Sequence, residues 1–398
     1  MTNATLRRTA TGHVQQPMSW HRARELAYEL GRTNVLPTQD VPLGHANGRI
    51  LAAPLHARTM VPGFDNAAMD GYAVRGPGPW RIVGQILAGE VPSQALAPGQ
   101  ATEIATGAPV PPGTERVVEY EITARVGDSL SASPGPRDHI RRRGEYVTEG
   151  QHLLPNGEKL TPAAIGLAAS TGIDTMTVRR QPSVRLLITG DEITDHGIPG
   201  QGTVRDAIGP MLGALLRQWN LDIESERVPD RPPHLHYNAV SDALRRNDIT
   251  LVCGSSSVGP ADGLHTTLHH IGAQVNIDGV ACRPGHPQLL AHHDGHWLLG
   301  VPGNPYAALV AVHTLLDPLL AGLAGRELPE LKTAELNGDA KTSADCTRLL
   351  PVRFHRRQAH VIEGAHSGFL GPAAQADALA VIAPYWHGEP VELLPITG

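Results

Sequence analysis

The sequence has few cysteines and few aromatic residues. Its three cysteines, Cys253, Cys282 and Cys346, are widely spaced and odd in number, which argues against a disulfide framework and against a zinc motif. This usage fits a reducing cytoplasm. Aromatic residues account for only 4% of the 398 residues, whereas 43 glycines and 34 prolines indicate many turns and segmented β structure.

The sequence also lacks an excess of positive charge and an uninterrupted apolar run. A formal net charge of −6 argues against a general nucleic-acid binder. The most apolar stretch, 306–323, contains His313, Asp317 and Pro318, so we predict a buried helix rather than a membrane span. Arg7 and Arg8 are not followed by the apolar segment of a signal peptide. We therefore expect a soluble cytoplasmic protein that binds neither nucleic acid nor membrane.

Common catalytic motifs are missing as well. The sequence contains no nucleophile elbow, no Walker loop and no spaced Rossmann glycine fingerprint, which leaves little support for a hydrolase, a kinase or a dehydrogenase. Histidines are grouped at 265 and 269 and at 292, 293 and 296. Neither an HExxH motif nor a cysteine accompanies them, so zinc is not the favoured interpretation.

The composition, 41% hydrophobic and 18% charged, is typical of a folded chain, and its length predicts two to four domains. Residues 1–17 are predicted to form a disordered tail. Ser19 is expected to cap a helix that Gly31 ends, and 161–170 is predicted to be a second helix. Short apolar runs between 61 and 139 predict a small β domain.

Beyond Pro182 the sequence alternates between strand and helix patterns. Buried strands are predicted at 184–188 and 249–253, helices around 211–219 and 264–271, and a hairpin turn at Asp294-Gly295. This order predicts a doubly wound sheet with parallel strands at its centre, whose ligand loops follow the strands. After about residue 326 helical periodicity disappears, and a final β domain is expected.

Four loops are candidates for chemistry: the loop that contains Asp70, then 189–192, 254–262 and 302–305. Glycine-rich loops before helices can bind phosphate through backbone N–H groups. Mg²⁺ prefers carboxylates, of which these regions offer Asp70, Asp191, Glu192, Asp206 and Asp262. For Asp191 and Asp206, capping a helix or a turn is an equally good interpretation. Arg141, Arg142 and Arg143 form either a solvated charge run or an oxyanion site.

Seven motifs occur in an order that closely resembles the molybdopterin molybdenumtransferase family, and the E domain of gephyrin is similar. The resemblance runs from about Trp20 to Pro395. The motifs are PGFDNAAMDGYAV (62–74), ATGAPVPPG (105–113), IRRRGE (140–145), TGDE (189–192), SVGPAD (257–262), PGNP (302–305) and Ser367-Gly368.

The resemblance implies a multidomain α/β and β fold, with an elongated subunit that forms a homodimer. The domains it implies, after the tail, are a helical or mixed N-terminal domain (18–60 plus 140–181), an inserted small β domain (61–139), a MogA-like molybdopterin-binding α/β domain (182–325) and a C-terminal β domain (326–398). A molybdopterin adenylyltransferase and molybdoenzyme maturation factors are the further partners that it suggests.

The activity implied by the resemblance is insertion of molybdenum from molybdate into adenylated molybdopterin, with Mg²⁺ as cofactor and AMP as product. By matching positions, Asp70, Glu192 and Asp262 would be catalytic, and Asp70 and Glu192 would bind the metal. The implied substrate-binding residues are Thr106, Gly107, Arg142, Asp191, Asp206, Gly254, Ser257, Gly259, Arg283, Gly285, His286, Pro302, Gly303, Asn304, Pro305 and Ser367.

The chain departs from the family pattern at several of these motifs. Tyr146 stands where the family has a carboxylate, Ala207-Ile208 replaces a serine–asparagine pair, and Ser255 replaces a glycine. Arg283 and His286 replace two lysines. These departures keep two alternatives open: a catalytically impaired paralogue that acts as a molybdopterin-binding or scaffold protein, and a related cofactor enzyme with altered metal preference.

Overall fold

The structure, a computed structural model, describes residues 7–8, 14–15, 17–254, 263–340, 342–355 and 358–396. The chain divides into two compact units. The large unit comprises residues 1–39, 48–52 and 178–398, and the small unit comprises 40–47 and 53–177. Most of the tail predicted to be disordered lies outside the described residues. The five-segment domain division implied by the resemblance is finer than these two units and stays a prediction.

The first helix shows how local sequence sets an element. The N-terminal elements are β1 (Arg7–Arg8), β2 (Val14–Gln15), β3 (Met18–Ser19), α1 (Trp20–Thr33) and β4 (Thr38–Pro42). The Ser19 hydroxyl accepts a hydrogen bond from the Arg22 N–H at 3.4 Å and caps α1 as predicted. Gly31 does not end this helix, which continues to Thr33. A Cβ at Gly31 would lie 2.4 Å from the Leu319 carbonyl oxygen, so glycine is required there for close helix packing.

The small unit is built around a six-stranded sheet with the order β10-β7-β9-β8-β12-β11. On β7, Tyr72 and Val74 pack into one apolar cluster and Ala73 packs into another, so both faces of this strand are covered. The small-unit elements are β5 (Leu55–His56), β6 (Asn66–Ala67), β7 (Gly71–Val74), β8 (Trp80–Ile86), β9 (Gln100–Ile104), β10 (Arg116–Glu119), β11 (Thr123–Val126), β12 (Ser129–Ala132), β13 (Ile140–Arg141), β14 (His152–Leu154) and α2 (Pro162–Ser170), followed by β15 (Thr175–Arg179).

The large unit contains the doubly wound sheet. Its elements are β16 (Val184–Thr189), β17 (Ile193–Thr194), β18 (Val204–Arg205), α3 (Ile208–Gln218), β19 (Ile223–Val228), α4 (Pro233–Arg246), β20 (Ile249–Cys253), α5 (Leu264–Ile271), β21 (Gln274–Asp278), β22 (Val280–Arg283), β23 (Leu289–His293), β24 (His296–Val301), α6 (Pro305–Ala311) and α7 (Asp317–Leu323). The sheet order is β19-β16-β20-β24-β23-β21. The first four strands are parallel and the last two are antiparallel to their neighbours, as the sequence predicts for the centre of the sheet.

A π-helical turn, Val312–Leu316, joins α6 to α7. Within the described part of the chain, 305–323 is one helix long and apolar enough to cross a membrane, but 83% of its most apolar window is buried. This burial agrees with the predicted core helix.

The C-terminal region is a β domain, as expected. Its strands are β25 (Lys332–Ala334), β26 (Leu336–Asn337), β27 (Thr347–His355), β28 (Gln358–Val361), β29 (Ala378–Ile382) and β30 (Val391–Pro395). The main sheet path is β25-β30-β29-β27-β22-β3, so this sheet also incorporates two strands from earlier in the chain. The predicted fold class, a doubly wound α/β domain with a small β domain and a C-terminal β domain, is thereby confirmed.

Candidate functional site

Asp70 lies in the turn between β6 and β7, with its side chain held in one orientation. The Thr106 backbone N–H donates to Asp70 Oδ1 at 2.6 Å, and the Thr106 hydroxyl donates to the same oxygen at 2.9 Å. These hydrogen bonds lower the pKa of Asp70. The next residue must be glycine, since a Cβ at Gly71 would lie 2.0 Å from the Val118 carbonyl oxygen. Asp70 is therefore an exposed, ionised and oriented carboxylate.

Thr106 and Gly107 form the loop that orients this carboxylate. The Gly107 N–H donates to the Ala67 carbonyl at 2.9 Å, and Gly107 has a φ of +80°, in the region that glycine tolerates best. The two residues thus fix Asp70 from across the turn. Binding of substrate by Thr106 and Gly107 stays a prediction.

Arg142 braces two loops of the small unit. Its guanidinium donates to Asp65 Oδ2 at 3.2 Å and to Asp138 Oδ2 at 2.5 Å. These partners raise the pKa of Arg142, with the bond to Asp138 the largest cause. Its backbone N–H also donates to Glu145 Oε2 at 2.7 Å. Binding a substrate oxyanion through Arg142, as predicted, would therefore require competition with two carboxylates that already pair with it.

A hollow of about 610 Å³ lies beside the Arg142 loop. Its lining includes Ala68 from the Asp70 loop together with Arg137, Arg141 and Tyr146. The Arg141 guanidinium donates to the Ala68 carbonyl at 3.3 Å, and Tyr146 is exposed. Asp138 and Glu145 line the hollow as well, so the phenol that replaces the family carboxylate contributes to a concave surface with charges of both signs.

In the large unit, three of the predicted loops meet at the carboxyl edge of the parallel sheet. The Thr189 hydroxyl donates to the Cys253 carbonyl at 2.8 Å, and the Gly254 N–H donates to the Val301 carbonyl at 3.1 Å. A Cβ at Gly303 would lie 3.4 Å from the Gly254 Cα, and Gly254 itself has a φ of +107°. Glycine permits this close approach of backbones, which brings the loops after β16, β20 and β24 together.

The Pro302–Pro305 segment also meets the C-terminal region. The Ser367 carbonyl accepts a hydrogen bond from the Tyr306 N–H at 2.9 Å, at the first turn of α6. A Cβ at Gly368 would lie 3.5 Å from Asn304 Oδ1. Two motifs that are about sixty residues apart in the sequence are thus neighbours in the fold.

Carboxylates cluster at the same edge of the sheet. Asp191 Oδ1 accepts from the Asp230 N–H at 3.1 Å, and Asp191 Oδ2 accepts from Arg231 Nε at 3.2 Å. Burial raises the pKa of Asp230, and the charges of Asp191 and Glu192 raise it further. A cavity of about 1100 Å³ is lined by the side chains of Asp191, Glu192, Asp230 and Arg231. Its other lining residues are Gly202, Pro233, His234, His236, Tyr237, Gly263, Thr266, Thr267 and His270.

Asp230 and the residues around it were not predicted as site residues, because neither β19 nor α4 was predicted. Strand β19 has the sequence Ile-Glu-Ser-Glu-Arg-Val at the edge of the sheet, and within it only Val228 is buried. Such an edge strand presents no continuous apolar run. The Asp230-Arg231-Pro232 segment directly after it is the signal that was available, since residues there lie at a carboxyl edge.

Asp206 and His286 have clear structural partners. Asp206 Oδ1 accepts from the Gly209 N–H at 2.9 Å in the first turn of α3, which agrees with the alternative that Asp206 stabilises the start of a helix or a turn. His286 Nδ1 lies 2.9 Å from the Val280 carbonyl oxygen and donates to it in the tautomer in which Nδ1 carries the proton. Arg283 is exposed at the end of β22, and a Cβ at Gly285 would lie 3.2 Å from Val310 Cγ1 in α6. Binding of substrate by these residues stays a prediction.

Three predicted site residues, Ser257, Gly259 and Asp262, lie outside the described residues. In the part of the chain that the structure describes, no group of three or more His, Cys, Asp and Glu side chains is arranged to hold a metal ion. Magnesium does not need such a cage, because it commonly binds one or two carboxylates, substrate phosphates and water. The oxygen donors Asp191 and Glu192 beside an open cavity fit this substrate-completed mode.

Known families and proteins match most of the chain. A family model described as the MoeA N-terminal region (domain I and II) matches residues 18–172. A second, described as a probable molybdopterin binding domain, matches residues 185–322. The chain is 35% identical over 370 residues to a protein from Nostoc sp. named molybdopterin molybdenumtransferase, and the match covers 87% of this chain and 85% of that protein.

Further relatives extend the comparison. A protein of the same name from Haemophilus influenzae is 35% identical over 300 residues, which cover 73% of this chain and 74% of that protein. Among solved structures, a molybdopterin biosynthesis MoeA protein from Pyrococcus horikoshii is similar with a TM-score of 0.78 and 26% identity. That match covers 96% of this chain and 100% of the solved one.

Proposed function

The chain belongs to the molybdopterin molybdenumtransferase family, and we propose that it inserts molybdenum from molybdate into adenylated molybdopterin with bound Mg²⁺ and releases AMP. Membership of this family makes the chain a transferase of molybdenum cofactor biosynthesis. The identity of the substrates, the metal and the site residues belongs to the proposal.

One observation carries the proposal: the carboxylates of Asp191, Glu192 and Asp230 line a cavity of about 1100 Å³ at the carboxyl edge of the parallel sheet. Open α/β sheets bind ligands at this edge. Its volume lies just above the range of about 300–1,000 Å³ that is usual for small-molecule sites, so it has room for a nucleotide-sized ligand. A phosphate ester can approach these carboxylates when a cation lies between them, which supports the requirement for Mg²⁺.

The proposal assigns separate tasks to the two units. In the large unit, Glu192 and Asp191 would hold Mg²⁺, which would supply positive charge beside the phosphate of the substrate. In the small unit, Thr106 holds Asp70 ionised, and Asp70 acts as the essential carboxylate for the metal or molybdate.

The test is release of AMP by the purified full-length protein supplied with adenylated molybdopterin. We expect release to require both molybdate and Mg²⁺, and we expect Asp70→Ala to abolish it. Asp128→Ala, which removes another exposed aspartate of the small unit, is the matched control and should behave as wild type.

Two results would contradict the proposal. Folded wild-type protein that releases no AMP would leave the impaired-paralogue interpretation, which the comparisons do not favour. Wild-type rates in Asp70→Ala would remove Asp70 from the mechanism while leaving the activity itself in place.

We further propose that the protein is a homodimer and works in the cytoplasm, beside a molybdopterin adenylyltransferase that supplies its substrate and maturation factors that take its product. The three cysteines are buried and unpaired, which supports a reducing compartment. Light scattering of the purified protein tests the dimer, and a monomer at micromolar concentration would contradict it.

A further inference from the structure

One histidine in the wall of the large-unit cavity has no hydrogen-bond partner. His236 lies on α4, is only 4% exposed and lines the cavity of about 1100 Å³. Neither Nδ1 nor Nε2 has a partner among the residues that the structure describes. A buried polar group without a partner costs free energy of folding, so its presence in a cavity wall calls for an explanation.

The ring of His236 is suited to a neutral ligand. Burial lowers the pKa of His236, so at neutral pH the imidazole carries one N–H donor and one acceptor nitrogen. The cavity also contains the carboxylates of Asp191, Glu192 and Asp230, and Arg231, the one arginine among its described lining residues, pairs with Asp191. A second anion beside a neutral imidazole in such surroundings is disfavoured.

Gly263 lies beside the imidazole. A Cβ at this position would lie 3.5 Å from His236 Nδ1, in ordinary van der Waals contact, so the two residues share one part of the cavity wall. Tyr237 and His270 also line the cavity, with ring centroids 6.3 Å apart and an interplanar angle of 76°. The cavity therefore offers aromatic surface and a neutral donor–acceptor pair in addition to the carboxylates.

We propose that His236 positions the substrate by exchanging hydrogen bonds with a neutral nitrogen heterocycle, the adenine or the pterin of adenylated molybdopterin. The proposal rests on the proposed function and identifies the part of the ligand that this cavity wall binds. Both heterocycles present donor and acceptor atoms, so the imidazole nitrogen that faces the ligand can pair with one of them, either as an N–H donor or as an acceptor. The phosphate is left for the carboxylates and their bound cation.

The test measures binding of the two heterocycles separately. Calorimetry on full-length protein uses adenosine in one arm and pterin (2-amino-4-oxopteridine) in the other, so that neither probe carries a phosphate. We expect one of them to bind wild type and to lose about tenfold or more of its affinity in His236→Leu, because its polar edge is left unpaired. His236→Gln, which keeps a donor and an acceptor, should retain most of the affinity.

The control is His269→Leu, which removes an exposed histidine that does not line the cavity and should leave affinity unchanged. Equal affinity of wild type and His236→Leu for both probes would overturn the proposal, as would failure of both probes to bind wild type. Thermal melting shows that each variant is folded. If His236→Leu does not fold, His236→Phe, which keeps a ring without nitrogens, takes its place and should show the same loss of affinity.

AMP release measured on the same samples separates this inference from the proposed function. Wild-type turnover with affinity that does not depend on His236 would reject the role of His236 alone. Binding that depends on His236, without any AMP release, would reject the transferase reaction and retain the heterocycle site.

Discussion

Replacing Asp248 should destabilise the large unit by an amount that depends on pH. Asp248 precedes β20, at the edge of the sheet opposite to the candidate site. Its carboxylate accepts from the Arg180 guanidinium at 2.7 and 2.8 Å, from the Ser183 N–H at 2.7 Å and from the Ser183 hydroxyl at 2.9 Å. Its backbone carbonyl accepts from the Trp297 N–H at 2.8 Å. Asp248 thus links the amino-terminal ends of three parallel strands, β16, β20 and β24, through hydrogen bonds.

The magnitude follows from the pKa of this carboxyl group. Burial opposes ionisation, but the bonds from Arg180 and Ser183 prevail and lower the pKa of Asp248 from 3.8 to about 2. A difference of this size corresponds to about 2.4 kcal/mol. Because the Arg180 side chain is 35% exposed, screening by solvent reduces the expected contribution to about 1–2 kcal/mol.

The sign of the pH dependence is fixed by the depressed pKa. A carboxyl group with a lower pKa in the folded state stabilises the protein above its unfolded pKa, and that stability is lost as the pH falls through the folded pKa. We therefore expect Asp248→Asn to lower the free energy of unfolding by about 1–2 kcal/mol at pH 7. The difference from wild type should shrink as the pH falls from about 5 towards 2.

Urea unfolding at a series of pH values measures this difference. Asp242→Asn is the matched control, because Asp242 forms an exposed pair with Arg246 on α4 and should contribute less than about 0.5 kcal/mol. An effect of Asp248→Asn that is no larger than that of Asp242→Asn at pH 7, or one that stays constant down to pH 3, would refute the reasoning.

Four further substitutions test other parts of the structure. Thr106→Val removes one of the hydrogen bonds that lower the pKa of Asp70, so the acidic limb of the AMP-release profile should move to higher pH; an unmoved limb would show that Asp70 does not set it. Gly322→Ala should destabilise by about 1–3 kcal/mol, because its Cβ would lie 2.4 Å from a carbonyl oxygen of α1. Gly166→Ala, with nothing within 4 Å, should instead stabilise α2 by about 0.5–1 kcal/mol, and urea midpoints that move together would contradict this contrast. His236→Leu should raise the melting temperature of the ligand-free protein by removing a buried unpaired ring, worth about 1–3 kcal/mol, and a lowered melting temperature would argue that the ring has an unseen structural partner.

Local patterns were sufficient for much of the fold. The caps at Ser19 and Thr161, the buried strand 184–189 and the hairpin turn at Asp294-Gly295 are encoded within a few residues of themselves. Gly31 shows the limit of such reasoning. Its sequence position suggests a helix end, but a carbonyl oxygen of α7, almost three hundred residues away, is what requires a glycine there.

Local sequence sets most of the alternation of strands and helices, the order of the motifs and the residue types available for chemistry, because hydrophobic period, turn chemistry and side-chain charge are properties of neighbouring residues. Tertiary packing sets how those residues are used. It pairs Arg142 with Asp65 and brings Asp230 to the carboxylates of the TGDE loop. These outcomes depend on distances between segments far apart in the chain, which no local pattern contains.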